Sequence, residues 1–458
     1  MQKNLIYTVL SPNARTGVAG VFLAVAMWMA THSGAAAECN DIAIDKVWTG
    51  TRVAFGGEAR SDIVYIAYYD AGRRMTVASV DPKACTVLQK KALPSVFAGW
   101  DSHNEIVVAS DSLGGLHIVG NMHASKLVYF RGRPSSHGLQ IVPGQMTGIA
   151  EERVTYPRFL TLADRRLAFL YRSGVSGDGD WQINVLSGNV WSKISRGPIL
   201  GSNYNGKRVS AYPSELVKSA DGFLHLAIVW RYTSDVASNF RASYAKTRDF
   251  LSWFDASGHA IALPISPSNA DTIDDPGQLH GLVNNARISL GPSGQPVVAF
   301  TKFNSKGLSA VFLARHDTKR WHISEIANAL KPNAIKGGGS IAALPRFSSI
   351  RTTPDGARID VSFPGEAAYS LDLDGSLSVT GRTAPVQRSA DDHDNPDLVS
   401  KVAASITLPK ASEDAPVAML RWAAQAPNSD KPRECTVAQP RACDPPPSTL
   451  RLSVHAAR

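Results

Sequence analysis

The stretch LVKSADGFLHLAIVW, Leu216 to Trp230, is an apolar run, a polar turn centred on Asp-Gly, and a second apolar run closed by tryptophan. Alternating apolar residues on both sides of a short turn read as two antiparallel strands. The same grammar recurs in IVVASDSLGGLHIVGNMH (Ile106 to His123), ISLGPSGQPVVAFT (Ile288 to Thr301) and SIRTTPDGARIDVSF (Ser349 to Phe363). FLTLADRRLAFLYR, Phe159 to Arg172, is a fifth copy with a different turn. The copies stand about 50 to 70 residues apart, a spacing suited to propeller blades. One blade cannot bury both faces of its sheet, and stacking blades around an axis covers them. Seven blades of about 58 residues would fill the chain beyond its leader. The expected fold is all-β: a single seven-bladed β-propeller of antiparallel four-stranded blades. TLRLSVHA, Thr449 to Ala456, reads as a strand placed to complete the ring beside the N-terminal strands. A pair of β-sandwiches is the alternative. The polar stretch Ala384 to Asp397 reads as a surface loop.

Ahead of the repeats lies a leader. Lys3 and Arg15 stand without an acidic neighbour, Val18 to Ala30 is apolar, and small residues lead to Ala35-Ala36-Ala37. This is the layout of a secretory signal, too short in its apolar part for a comfortable membrane span. Residues 1–37 are the expected signal peptide and 38–458 the propeller. The product is expected to be periplasmic or secreted, with no membrane attachment after cleavage, and monomeric. Four cysteines, Cys39, Cys85, Cys435 and Cys443, suit two disulfides in an exported protein. The sequence-near pairs, Cys39 with Cys85 and Cys435 with Cys443, are favoured over metal binding, because no CxxC pair is present.

The formal charge is +9, and loss of the leader's two basic residues lowers it only slightly. A modest positive excess favours encounter with polyanions. Export, and the lack of any clustered Lys/Arg run, point to an acidic polysaccharide or oligosaccharide and not to nucleic acid.

His103 lies just before a strand and His123 just after its antiparallel partner. Such a pair returns its second end beside its first start, so both imidazoles should emerge together. His117, in mid-strand, reads as a packed or hydrogen-bonded residue. Tyr156 in VTYPRF and Tyr212 in SAYPSE hold equivalent places in successive blades, as do Arg172 in LYR and Arg231 in VWR. Strand ends near a propeller axis converge on one pocket. This set fits β-elimination on a uronate. Arginines neutralise the carboxylate as the proton at C5 leaves. His or Tyr acts as base and acid. No cofactor is required for such chemistry. Hydrolysis would instead need a carboxylate pair, for which Asp101 and Glu151 are the near candidates.

Taken together, DSHN (Asp101 to Asn104), GGLHIVGNMH (Gly114 to His123), LVYFR (Leu127 to Arg131), MTG (Met146 to Gly148) and EERVTYPRF (Glu151 to Phe159) resemble one family. The likeness continues through YRSGVSGDGDW (Tyr171 to Trp181), AYP (Ala211 to Pro213), VWRYTSD (Val229 to Asp235) and SNFRASYAKTRDFLSW (Ser238 to Trp253). The chain resembles the BNR-type repeat proteins that include seven-bladed ulvan lyases and rhamnosyl-glucuronate lyases acting on gum arabic side chains. The resemblance implies a catalytic His103–His123 pair, Tyr156 as acid/base, Arg172 on the uronate carboxylate and Arg231 as a second substrate arginine. Asn104, Asn239 and Tyr244 match neighbouring pocket positions, and Tyr212, placed by the repeat, joins them as a substrate-binding candidate. Some relatives carry a structural calcium or zinc ion, for which His280 is the candidate ligand. Two departures bear on substrate: a shorter segment between His123 and Tyr156, and Arg241 where a smaller or acidic residue is expected. A hydrolase on the same scaffold and a non-catalytic glycan-binding propeller are the competing readings.

Overall fold

A computed structural model describes residues 41–135, 138–291, 293–341, 343–353, 356–384, 400–407 and 417–455. The signal-peptide expectation, Cys39 and most of the polar stretch after Ala384 lie outside them. Within the described residues there is no α-helix, only a 3₁₀ turn at Val236–Ser238. None of the described helices is long and apolar enough to cross a membrane.

Among the described residues the strands fall into seven antiparallel blades in chain order, with blades 3 and 4 joined into one sheet and a two-stranded hairpin, Asn203–Tyr204 with Lys207–Arg208, lying between them in the chain. The expected turns join the first and second strands at Asp221-Gly222 of blade 4 and Ser293-Gly294 of blade 5, while Asp355 of blade 6 lies outside the described residues. Blade 2 is Val107–Ser110, Leu116–Val119, Tyr129–Ser135 and Gly138–Pro143, paired in that order. Blade 3 is Val154–Thr161, Leu167–Val175, Asp178–Ser187 and Val190–Lys193. Blade 4 is built on Ser210–Pro213, Leu224–Arg231 and Asn239–Thr247, and a single parallel bridge, Gly179 to Ser210, links it to blade 3. Blades 1, 5 and 6 run from Gly56, Arg287 and Arg346. Blade 7 joins both ends of the chain: Ser448–His455 pairs antiparallel with Ile42–Val47, setting Ile42 opposite Leu452. The C-terminal strand thus completes the ring, as its alternation suggested.

The first strands of neighbouring blades 1, 2, 3 and 7 lie against one another around the axis. Between the blades run the cores. Leu420, Leu450 and Leu452 of blade 7 share one apolar cluster with Ile66 and Val77 of blade 1 and Ile118 of blade 2. Each such side chain contributes about 1.5–3 kcal/mol when buried, so ring closure is carried by packing between blades. Cys435 and Cys443 form the expected local disulfide. Cys85 is also disulfide-bonded.

Candidate active site

All the residues that come together belong to one mouth of the ring, where first strands begin and second strands end. The Asp101–Asn104 turn precedes the first strand of blade 2, and His123 follows its second. The Asp101 carboxylate accepts from His103 Nδ1 at 2.7 Å and from the His103 amide at 2.9 Å. Its other oxygen is bonded to His123 Nδ1. One carboxylate therefore fixes both imidazoles, whose rings stack at 4.4 Å. The His103 and His123 side chains are 20% and 26% exposed, so the pair is open to a ligand.

Tyr156 stands edge-on to His103, with ring centroids 5.7 Å apart. Its backbone is left-handed, at φ 56°, and the pairing register with the next strand slips between Thr155 and Arg158. Pro157 disfavours the ordinary helical region for the residue before it, and a bulge re-aims a side chain. Holding a tyrosine there costs on the order of 1–3 kcal/mol. Tyr212, its counterpart in blade 4, sits in regular register.

Behind Tyr156 lies Arg172, wholly buried, its Cζ 4.8 Å from the Tyr156 ring centroid and 6.0 Å from that of Tyr212. Gly179 makes the room, since a Cβ there would come within 2.8 Å of Arg172 Cδ. Nη2 donates to Thr155 Oγ1 at 3.3 Å, while Nε and Nη1 are buried without a hydrogen-bond partner. Arg231 follows, donating to Asp235 O at 3.1 Å, to Ser234 O and to Tyr212 Oη at 3.4 Å. Asp101, His103, His123, Tyr156, Arg172, Tyr212 and Arg231 thus form one unbroken run of contacts across three blades.

Several placements differ from the expectation. The arginines do not project into the open mouth; they are buried behind the tyrosines. Asn104 turns its amide back onto Asp101 O at 3.0 Å. Asn239 donates to Leu282 O at 2.9 Å, and Tyr244 is fully buried with its hydroxyl 2.6 Å from His225 Nδ1. Both Asn239 and Tyr244 sit on the third strand of blade 4, one layer out from the mouth. Arg241 is tied to Asp275 at 2.6 Å and to Pro267 O at 2.5 Å. Glu151 is spent on the Thr147–Gly148 turn and Asn184, so it does not pair with Asp101.

Sequence reasoning named Asp101 only as a near candidate for hydrolysis, and it missed Asp430 and Glu105. Asp101 was visible two residues ahead of His103, the spacing of a side chain that caps its own turn. Asp430 had no local signal. It arrives from the loop after the second strand of blade 7 and lies 3.5 Å from His103 Nδ1, accepting from the Ser340 amide at 3.1 Å. Glu105 follows the histidine turn directly. Burial pushes its carboxyl up to about 7, with Arg158 and His103 opposing and Glu215 adding.

Burial works against a charge on His103, yet the Asp101 and Asp430 hydrogen bonds more than offset it and push the imidazole up to about 9. Asp101 is also partly buried, but the two imidazoles hold it well below the usual carboxylate range. A His raised from 6.5 stabilises the fold fully below that value and loses the contribution as pH rises through about 9. A depressed carboxylate stabilises above its unfolded value and fails as pH falls. Asp101→Asn is therefore expected to lower the thermal midpoint most between about pH 5 and 7 and hardly at pH 10. Melting curves across that range check it; a pH-independent deficit would refute the linkage.

For a metal, the described residues bring together Asp101, His103 and His123, with ligand atoms within 4.8 Å of one another. Calcium wants six to eight oxygens, which this trio does not offer. For zinc, three ligands are present, but both Nδ1 atoms and both carboxylate oxygens already bind each other. The trio therefore fits neither ion well, and no step below is routed through a metal. His280, the expected ligand, is exposed and bonded to Gln278 O at 2.8 Å, apart from this group.

Seven antiparallel blades among the described residues, with a polar cluster at one mouth, define a β-propeller. Residues 63–329 match the model of the BNR repeat-containing family member, and the chain belongs to that family. Among solved structures it is similar to an ulvan lyase of polysaccharide lyase family PL25, at 13% identity and a TM-score of 0.52, over 84% of this chain and 91% of that one. It is similar to the polysaccharide lyase Uly1 at 15% identity and a TM-score of 0.53, over 88% and 90%. The PL25 ulvan lyase has also been solved bound to -[GlcA(1-4)Rha3S]-, with 13% identity and a TM-score of 0.51, over 84% and 92%. No curated protein matches by sequence.

Proposed function

We propose that this protein is an exported lyase that cleaves a uronate-containing acidic glycan by β-elimination. The observation that carries the reading is the buried guanidinium of Arg172 behind Tyr156, with two unpaired nitrogens, beside a carboxylate-bridged histidine pair. A cation left unpaired in the interior is costly unless negative charge develops next to it. Elimination supplies that charge, on the phenolic oxygen or on the uronate as its C5 proton leaves. Burial and Tyr212 raise Tyr156 above the usual phenol range, and Arg172 and Arg231 work against that rise. They ease formation of an anion there.

The two imidazoles take different parts. His103, pushed up to about 9, is protonated at neutral pH and cannot serve as base. His123 directs Nδ1 to Asp101, which leaves Nε2 to accept a proton. His103 or the Tyr156 hydroxyl returns a proton to the leaving glycosidic oxygen. The fold shared with ulvan lyases supports this class, and the -[GlcA(1-4)Rha3S]- glycan bound to one of them supports an acidic substrate. The leader, residues 1–37, supports export. Hydrolysis is less well served, because Glu151 is turned away from Asp101.

Product chemistry tests the reading. Incubation with ulvan, gum arabic and other uronate glycans is expected to release a 4,5-unsaturated uronate that absorbs in the ultraviolet. Reducing sugar without that absorbance would point to hydrolysis, and neither product from any uronate glycan would leave a binding propeller.

A further inference from the structure

Away from this mouth, two clefts between blades share one plan. In blade 2, His117 of the second strand is buried, with Nδ1 2.8 Å from Tyr129 Oη on the third strand and Nε2 3.0 Å from Asp111. Trp191, from the fourth strand of blade 3, donates to the same Tyr129 oxygen at 3.2 Å. In blade 4, His225 is bonded in the same way to Tyr244 at 2.6 Å and to Ser219 at 2.9 Å. Trp321, from the fourth strand of blade 5, lies 5.4 Å from the Tyr244 ring. Cavities of about 450 and 470 Å³ open beside these His–Tyr–Trp sets.

Cations occupy matching places as well. Arg131 and Arg133 stand two and four residues after Tyr129, and Lys246 and Arg248 stand two and four after Tyr244. Side chains alternate along a strand, so Tyr129, Arg131 and Arg133 lie on one face about 7 Å apart in succession, as do Tyr244 and Lys246, and Arg248 follows just past the strand's last residue, Thr247. The clefts part company here. Arg248 donates to Asp221 O at 3.2 Å, lies 3.7 Å from the Asp221 carboxylate and caps the Phe223 ring at 3.8 Å. Lys246 donates to Ala256 O at 3.3 Å. Arg131 and Arg133 are exposed and have no carboxylate partner among the described residues. Among the described residues, the one acid lining their cleft, Asp111, is committed to His117 and to the Leu113 and Gly115 amides.

We infer that the cleft between blades 2 and 3 is a second glycan-binding site, in which Arg131 and Arg133 hold the carboxylates or sulfates of an acidic sugar chain away from the mouth. A guanidinium presents a planar fork that binds such groups through two parallel hydrogen bonds. His117 adds no charge, because its burial keeps the imidazole neutral; the cleft's positive potential comes from the arginines. Gln140 and Asn189, on opposite walls, are placed for sugar hydroxyls. Tyr129 and Trp191, each at most 8% exposed, form the floor. A site here and one at the mouth would let one polyanionic chain engage the ring twice, raising its local concentration at the mouth.

Affinity electrophoresis of the mature protein in gels containing polygalacturonate tests this, in a His123→Ala background so that the probe is not consumed. Retardation is expected in polygalacturonate and not in dextran. Arg131→Ala/Arg133→Ala is expected to weaken it about tenfold at low salt, while Lys246→Ala/Arg248→Ala leaves it within about twofold. Unchanged binding by the first pair, or an equal loss in both pairs, would overturn the inference. The inference borrows only the acidic ligand from the reading above. A protein that binds through Arg131 and Arg133 but never forms an unsaturated product would sink the lyase and leave the cleft standing.

Discussion

Replacing His123 with alanine is expected to slow formation of the unsaturated uronate by about 10³-fold, within the range that a positioned general base contributes. The loss should fall on kcat, with KM within a few-fold, because the imidazole acts on the proton in flight more than on the bound sugar. The partial exposure of this side chain argues that the fold survives. Its removal opens no core cavity and costs about 1 kcal/mol or less. The residual activity has a signature. With the base gone, Asp101 keeps its bond to His103, so the high-pH limb set by His103 near 9 should persist in the variant. Rates of ultraviolet absorbance increase on the preferred glycan, measured from pH 6 to 10, separate the two effects. A variant that keeps a tenth or more of the parental kcat would remove His123 from the chemistry.

What the sequence reveals of this site follows from which contacts are local. His103 and His123 bracket one hairpin, and hairpin geometry alone brings them together. The repeated Tyr-Pro and apolar-Arg strand ends of blades 3 and 4 follow from the repeat itself, so Tyr156, Tyr212, Arg172 and Arg231 could be placed at one mouth. Depth was not legible. Whether Arg172 opens to solvent or hides behind a tyrosine depends on the Tyr156 bulge and on the space left by Gly179, and neither shows in a periodicity. The resemblance carried Asn239 and Tyr244 into the pocket, but both stand on a third strand. A propeller mouth is built from the ends of first and second strands, so residues further out meet the neighbouring blade instead. Asp430 was invisible for a different reason. Its approach to His103 is made by ring closure, which sets the loop of the last blade beside the turn of the second.

Arg172→Met is expected to abolish measurable elimination, a loss of about 10²–10³-fold or more, while leaving the protein as stable as before or more so. Methionine fills much the same volume beside Gly179 and Thr155 without bringing a charge into the interior. Replacement of buried ionic groups by apolar ones of similar size is often neutral or stabilising by about 1–4 kcal/mol. The present guanidinium should be a stronger case, because it makes one hydrogen bond, to Thr155, and leaves Nε and Nη1 without partners. A residue kept for the fold would show the opposite balance, with stability falling and activity following it. Calorimetric melting and the enoate assay on the same preparation decide between the two. Fully retained activity would mean that the buried charge serves no anion in the reaction. A fall in midpoint that matched the loss of rate would make Arg172 a structural residue, and the case for a charge-stabilising cluster would fail with it.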